Sequence, residues 1–228
     1  MQSVQARVIE ISLDPAGGTA AWVACPPHAT PKAGQYCLAH APGDGEPLEA
    51  VLFASEISSQ GFRAPPPVPH AWIPGASLTL RGPLGKGFSL EGSPRRLALA
   101  ALGETAARLL PLARQAAAAG ADIAWFSDAP LPPMPASHEL NPLRLLADGL
   151  SWADFLALDL PVERLGGLGA VLGLHPEQRL ACPAQVLVIA PMPCGGAAAC
   201  GACAVPTRRG WRLACQDGPV FNLSELEW

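Results

Sequence analysis

The sequence predicts a mixed fold: an antiparallel β domain, a following α/β domain, and a short cysteine-rich tail at the C-terminal end. Three observations carry this reading. Over roughly the first 90 residues, short apolar runs alternate with Gly, Pro and Asp clusters, the pattern of a small antiparallel barrel or sandwich. From residue 92 the pattern changes to strand–helix–strand, the unit of a parallel α/β sheet. Beyond residue 191, four of the seven cysteines crowd into residues 194–215. The boundaries that follow are 1–91, 92–190 and 191–228.

The elements follow in order. Val4–Leu13 is rich in β-branched residues and reads as a strand. Ala20–Ala24, Tyr36–Ala41, Glu49–Ile57 and Ser77–Leu80 are shorter strand candidates, separated by turn clusters such as Asp14–Gly18, Pro26–Pro31 and Pro42–Pro47. Ala64–Pro69 carries four prolines and cannot be a central strand, because proline donates no ladder hydrogen bond. Arg96–Leu102 and Ile123–Ser127 are compact strands. Between them Thr105–Ala119, rich in Ala and Leu, reads as a helix closed by Gly120. Residues 128–148 read as a proline-rich loop with a short helix. Ser151 is placed as the N-cap of a helix beginning at Trp152–Leu156. Gln185–Ile189 is the last buried strand. A hairpin then turns at Arg208–Gly210 and returns along Trp211–Cys215.

Bulk composition narrows the function. Half of the residues are hydrophobic and 15% are charged, which fits a packed core and not a disordered chain. A net charge of −4 gives no basic face for nucleic acid. No run approaches the ~20 apolar residues of a membrane span. The start, MQSVQARVIEISLD, lacks a basic region followed by an apolar one, so a cytoplasmic location is expected. In that compartment cysteines are rarely disulfide staples.

The cysteines point to a metal centre. Their spacing is Cys194-x5-Cys200-x2-Cys203-x11-Cys215. A [2Fe–2S] cluster takes four thiolates, and the plant-type pattern groups three as C-x4-C-x2-C with a remote fourth. Here the first gap is one residue longer. The loop between is built from Gly and Ala, which lets backbone N–H groups turn toward the sulfurs and raise the reduction potential. Zinc is the alternative occupant, although its ribbons usually pair two C-x2-C knuckles and only one is present. No histidine lies nearer than His175, which removes a Rieske centre. Cys25, Cys37 and Cys182 read as small core hydrophobes. The five histidines are dispersed, and no nucleophile–base motif stands out. Arg208, Arg209 and Arg212 lie beside the tail and could steer an acidic partner, or simply be a solvated hairpin tip.

On three motifs the chain resembles the electron-transfer subunit of two-subunit dihydroorotate dehydrogenase, within the ferredoxin–NADP reductase superfamily. The sharpest is the cysteine loop followed by Cys215-Gln216-Asp217-Gly218-Pro219-Val220-Phe221. The second is Gly82-Pro83-Leu84-Gly85-Lys86-Gly87-Phe88, similar to the family's GPLGNGF loop. The third is Ala33-Gly34-Gln35-Tyr36, similar to its PGQF turn. The resemblance implies an FAD-binding-like β-barrel, a nucleotide-binding-like α/β domain, and a cluster relaying electrons between that FAD and the flavin of a catalytic partner in pyrimidine biosynthesis. It implies a hetero-oligomeric electron carrier, not a catalyst acting alone. Gly82, Gly85 and Lys86 become candidate cofactor contacts, with a tight turn bearing a solvated lysine as the plain alternative.

Two family motifs are not matched. The family's Arg-Pro-x-Ser flavin motif corresponds to Val51-Leu52-Phe53-Ala54-Ser55-Glu56-Ile57, which lacks the arginine and places a carboxylate near the expected pyrophosphate. The glycine-rich nucleotide turn is reduced to Gly103, followed by Glu104. FAD thus rests on the resemblance and against these residues, and NAD is not expected. A second function class stays open: a structural or assembly protein on the same scaffold, holding zinc or a non-redox cluster.

Overall fold

The computed structural model describes residues 3–43, 45–90, 92–175 and 178–228. Residues 1–2 and Glu91, where the first boundary is expected, lie outside the described residues. The first half holds β1 (Ser3–Leu13), β2 (Thr19–Ala24), β3 (Tyr36–His40), β4 (Ala50–Phe53), β5 (Glu56–Ser58), β6 (Gly61–Ala64) and β7 (Ser77–Leu84). They form one antiparallel sheet in the order β4-β3-β7-β1-β2-β6-β5.

The sheet curls like a barrel without a hydrogen-bonded seam. Laid flat, its two edge strands would stand about 29 Å apart at the usual strand spacing. Yet β4 ends at Phe53 and β5 begins at Glu56, and a link that short spans at most about 11 Å. The edges must therefore approach each other, although among the described residues no ladder joins them. The single strand expected over Glu49–Ile57 is in fact these two edge strands, broken at Ala54-Ser55. Ser55 is fully buried, and its N–H and hydroxyl both donate to the Arg63 carbonyl, at 2.8 and 3.1 Å. The corner is thereby tied to β6, a strand too short and too close to Pro65–Pro67 to be read from the sequence.

The second half holds β8 (Arg96–Ala101), α1 (Leu110–Ala118), β9 (Asp122–Ser127), β10 (His138–Asn141), α2 (Leu146–Gly149), β11 (Phe155–Pro161), α3 (Leu168–Val171) and β12 (Ala184–Ile189). After these come β13 (Ala204–Thr207), β14 (Gly210–Leu213), α4 (Ala214–Asp217) and β15 (Val220–Asn222). The main sheet runs β10-β9-β8-β11-β12-β15, parallel except for the last pair. β13 and β14 form the hairpin expected around Arg208–Gly210.

Two expectations are corrected. The helix expected to start at Trp152–Leu156 is instead β11, a central strand of which Phe155–Leu160 are buried. A continuous apolar run buried on both faces has no amphipathic period, and run length alone does not separate strand from helix. The loop expected over 128–148 contains the edge strand β10, held by its pairing to β9 and nearly silent in its own sequence.

The core joins the two halves. Tyr36, Leu38 and Phe53 of the β domain pack in one apolar cluster with Leu158 and Val188 of the parallel sheet and with Met192, Cys203, Val205, Cys215 and Val220 of the tail. β15 adds the tail to the α/β sheet through β12. The cysteine segment is therefore held from both sides. Among the described residues no helix is long and apolar enough to cross a membrane.

Candidate metal centre

Three sequence motifs far apart in the chain meet under the cysteines. Gly85 has φ +72°, and a Cβ there would stand 2.6 Å from Pro219 Cδ and 2.7 Å from the Gly218 carbonyl. The Lys86 N–H donates to that carbonyl at 2.6 Å. Gly34 meets Val220 and Phe88 as closely, with φ +81°. Gly82 lies against Cys37, where a Cβ would reach 2.6 Å from Sγ. Glycine is required at positions 34 and 85 because any side chain would enter the Asp217–Phe221 segment or its neighbours. Gly82 and Gly85 thus face protein, and Lys86 is exposed at the rim. The turn is spent on seating the segment that follows Cys215.

The four sulfurs form two pairs. Cys194 Sγ lies 3.4 Å from Cys200 Sγ, and Cys203 Sγ lies 3.2 Å from Cys215 Sγ. The first pair faces outward, with Cys200 exposed; the second is buried. Gly196 connects the two arms, since a Cβ there would stand 4.0 Å from Cys215 Sγ. Two thiolates on one tetrahedral metal with bonds of about 2.3 Å stand about 3.8 Å apart. Each pair is close to that spacing. Among the described residues no three Cys, His, Asp or Glu side chains are placed around a single ion. A centre with two metal atoms takes a pair of sulfurs on each, whereas one zinc takes all four on a single ion.

The electrostatics agree. A backbone hydrogen bond at Ala198 is the largest of several that bring the Cys194 thiol down to about 7. Burial, then the neighbouring Cys203, push Cys215 up to about 12. Adjacent buried thiols resist joint ionisation, and cations between the thiolates remove that cost.

The β domain reaches the site through three residues that the sequence did not single out for it. The buried Tyr36 hydroxyl on β3 donates to the Cys215 carbonyl at 3.0 Å. On β7, Arg81 Nη1 donates to the Gly195 carbonyl at 3.4 Å, while Nη2 donates to Glu49 Oε2 at 2.5 Å. Tyr36 had a signal in the Ala33–Tyr36 turn. Arg81 and Glu49 had none, because their pairing depends on the β3–β7 register that sets Leu38 opposite Arg81.

Residues 191–227 match the family model for the iron–sulfur cluster binding domain of dihydroorotate dehydrogenase B. This tail is similar to an iron–sulfur domain of that type. The fold of the whole chain is that of ferredoxin–NADP reductases. It superposes on an NADH-dependent reduced ferredoxin–NADP oxidoreductase, a protein of flavin-based electron bifurcation, with a TM-score of 0.75 at 20% identity, covering 97% of this chain and 89% of that one. It also matches the ferredoxin reductase of carbazole 1,9a-dioxygenase (TM-score 0.60, 15% identity, 77% of this chain and 67% of that one). Phthalate dioxygenase reductase, a modular structure for electron transfer from pyridine nucleotides to [2Fe–2S], gives 0.54 at 13% identity over 94% and 77%. No curated protein matches the sequence. The chain thus joins a tail similar to the iron–sulfur cluster binding domain of dihydroorotate dehydrogenase B to a reductase-like fold.

The residues fit the nucleotide cofactors of that fold poorly. The chain leaves β8 toward β9 and returns to β11 on its other side, so the crevice at their carboxyl ends is the switch point where dinucleotides bind in open α/β sheets. An open space of about 900 Å³ exists there, lined by Gly103, Glu104, Arg108, Glu163 and Arg164, with His70 from the β domain. Its floor is closed by the buried Arg108–Asp159 pair, bonded at 2.8 and 3.1 Å. The Ala107 N–H at the helix start is taken by Thr105 Oγ1. In the expected flavin stretch, Ser55 is spent on the Arg63 carbonyl and Glu56 pairs with Arg114. Arg63 itself is paired with Asp14.

Proposed function

We propose that Cys194, Cys200, Cys203 and Cys215 hold a [2Fe–2S] cluster, one iron on each sulfur pair, and that this centre relays electrons to or from a flavin-containing catalytic subunit of the dihydroorotate dehydrogenase type. The observation that carries the reading is the arrangement of four sulfurs as two pairs, one buried and one open. The cluster supplies one-electron transfer. The chain supplies the rest: the small-residue loop brings backbone N–H groups to the outer thiolates, and Tyr36 and the Gly85 turn hold the inner arm. The interlocked domains, the Arg108–Asp159 pair at the switch point and the missing flavin arginine support a subunit in which the cluster is the only redox centre. Division of the chain at 1–91, 92–190 and 191–228 then separates a supporting β domain, an α/β body and the working tail.

The open face offers a docking surface. Cys200 is exposed, and on the adjoining hairpin Trp211 is 72% exposed. Arg208 and Arg209 stand at the hairpin tip, and Arg212 is shared with Asp217 at 3.7 Å. An aromatic anchor ringed by arginines suits an acidic protein surface. A cytoplasmic hetero-oligomer follows from this reading.

Anaerobically purified protein tests it. Visible absorption that bleaches with dithionite, with two irons and two acid-labile sulfides per chain, is expected. Cys203→Ser should abolish it. One zinc per chain without visible absorption would instead establish the structural alternative. Stoichiometric FAD released on denaturation would overturn the single-centre reading. Co-purification from the source cell identifies the flavoprotein partner.

A further inference from the structure

Arg81 lies on the β domain, outside the cysteine tail, yet it meets the tail beside its first ligand, with Glu49 paired to it. Gly195 follows Cys194 directly and has φ +52°. A side chain there would collide with Leu38 Cδ1 and would stand 2.7 Å from Arg81 Nη2. Because residue 195 is glycine, the backbone beside Cys194 can settle against β3 and β7. The Arg81 guanidinium then bonds its carbonyl and Glu49 at the same time. The two charges are not equally placed. The Arg81 side chain is 15% exposed and that of Glu49 is 37% exposed. Arg81 is the charge bonded to the carbonyl next to Cys194, and Glu49, the more exposed of the two, is bonded to the other nitrogen of that guanidinium.

We propose that Arg81 is a positioning residue that also raises the reduction potential of the centre, and that Glu49 trims that effect. The inference rests on the cluster reading above. Reduction adds one negative charge among four thiolates. A nearby cation favours the reduced state, and a nearby carboxylate favours the oxidised one. The β domain thereby keeps an electrochemical role while its expected flavin-binding stretch lacks the pyrophosphate arginine.

The two halves of one salt bridge make the test decisive. The full chain, purified anaerobically, is titrated against redox mediators and followed by visible absorption and by the EPR signal of the reduced state. Arg81→Gln should shift the midpoint potential negative, Glu49→Gln should shift it positive, and Arg81→Lys should return it close to the parent value. A purely structural pair would give shifts of one sign, since both variants break the same bond. Shifts of the same sign, or no positive shift in Glu49→Gln, would overturn the inference. If Arg81→Gln loses its centre, Glu49→Gln and Arg81→Lys still decide. An unmodified chain with no visible band would overturn the cluster reading itself, whereas a normal band with same-sign shifts overturns this inference alone.

Discussion

Replacing Arg108 with Met leaves the Asp159 carboxylate alone in the α/β core. Asp159 is fully buried, and both its oxygens accept from the Arg108 side chain, which is itself 9% exposed. Removing one partner of a buried ion pair costs about 3–5 kcal/mol, because the remaining charge has neither water nor a counter-ion. For a chain of this size each kcal/mol lowers the thermal midpoint by about 2–4 °C, so Arg108→Met should melt about 6–20 °C lower near neutral pH. Burial already pushes the Asp159 carboxyl up, against the pull of Arg108; without the arginine it rises further. An acid with a raised folded-state pKa carries a penalty that grows as pH rises above its unfolded value of about 3.9. The destabilisation should therefore shrink as the pH is lowered toward that value. Arg108→Met/Asp159→Leu should recover most of the loss, since an apolar pair of similar volume is often neutral or stabilising. Circular dichroism melts across pH measure all of this. An Arg108→Met chain that melts with the parent, or a double variant no better than the single one, would refute the view that this pair fixes the closed floor of the crevice.

Two further outcomes are expected. Gly85→Ala must place a left-handed residue against Pro219, costing about 1–2 kcal/mol for the backbone and about 1–3 kcal/mol for overpacking; iron per chain should fall with thermal stability, and full iron occupancy would contradict the seating role of that turn. The Trp125 indole N–H donates to His138 Nδ1 at 3.2 Å, and burial lowers the His138 pKa below its usual 6.5. Stability from this contact is present above that value and is lost as pH falls through the folded-state pKa. Melts from about pH 7.5 to about 5.5 should show a smaller drop in His138→Gln, whose amide oxygen accepts at either pH; an identical drop would exclude the contact as its source.

Much of the site was legible because its chemistry is local. The cysteine spacing names the proposed ligands, and the Gly-rich motifs mark where backbone must approach backbone. The strands of the β domain were readable where turn residues bracket them. β11 was misread because a strand buried on both faces has no period to distinguish it from a helix, and β10 was missed because only its neighbour holds it. By itself, then, the sequence determined the two-part body, the four sulfurs and the loss of the flavin arginine. Only the tertiary structure decided that the sulfurs stand as two pairs, that Arg108 and Asp159 pair at the floor of the switch point, and that Arg81, held by Glu49, reaches the Gly195 carbonyl. Those pairings join residues 6 to 114 positions apart, and strand register and glycine-permitted close approach, not local propensity, set the distances between them.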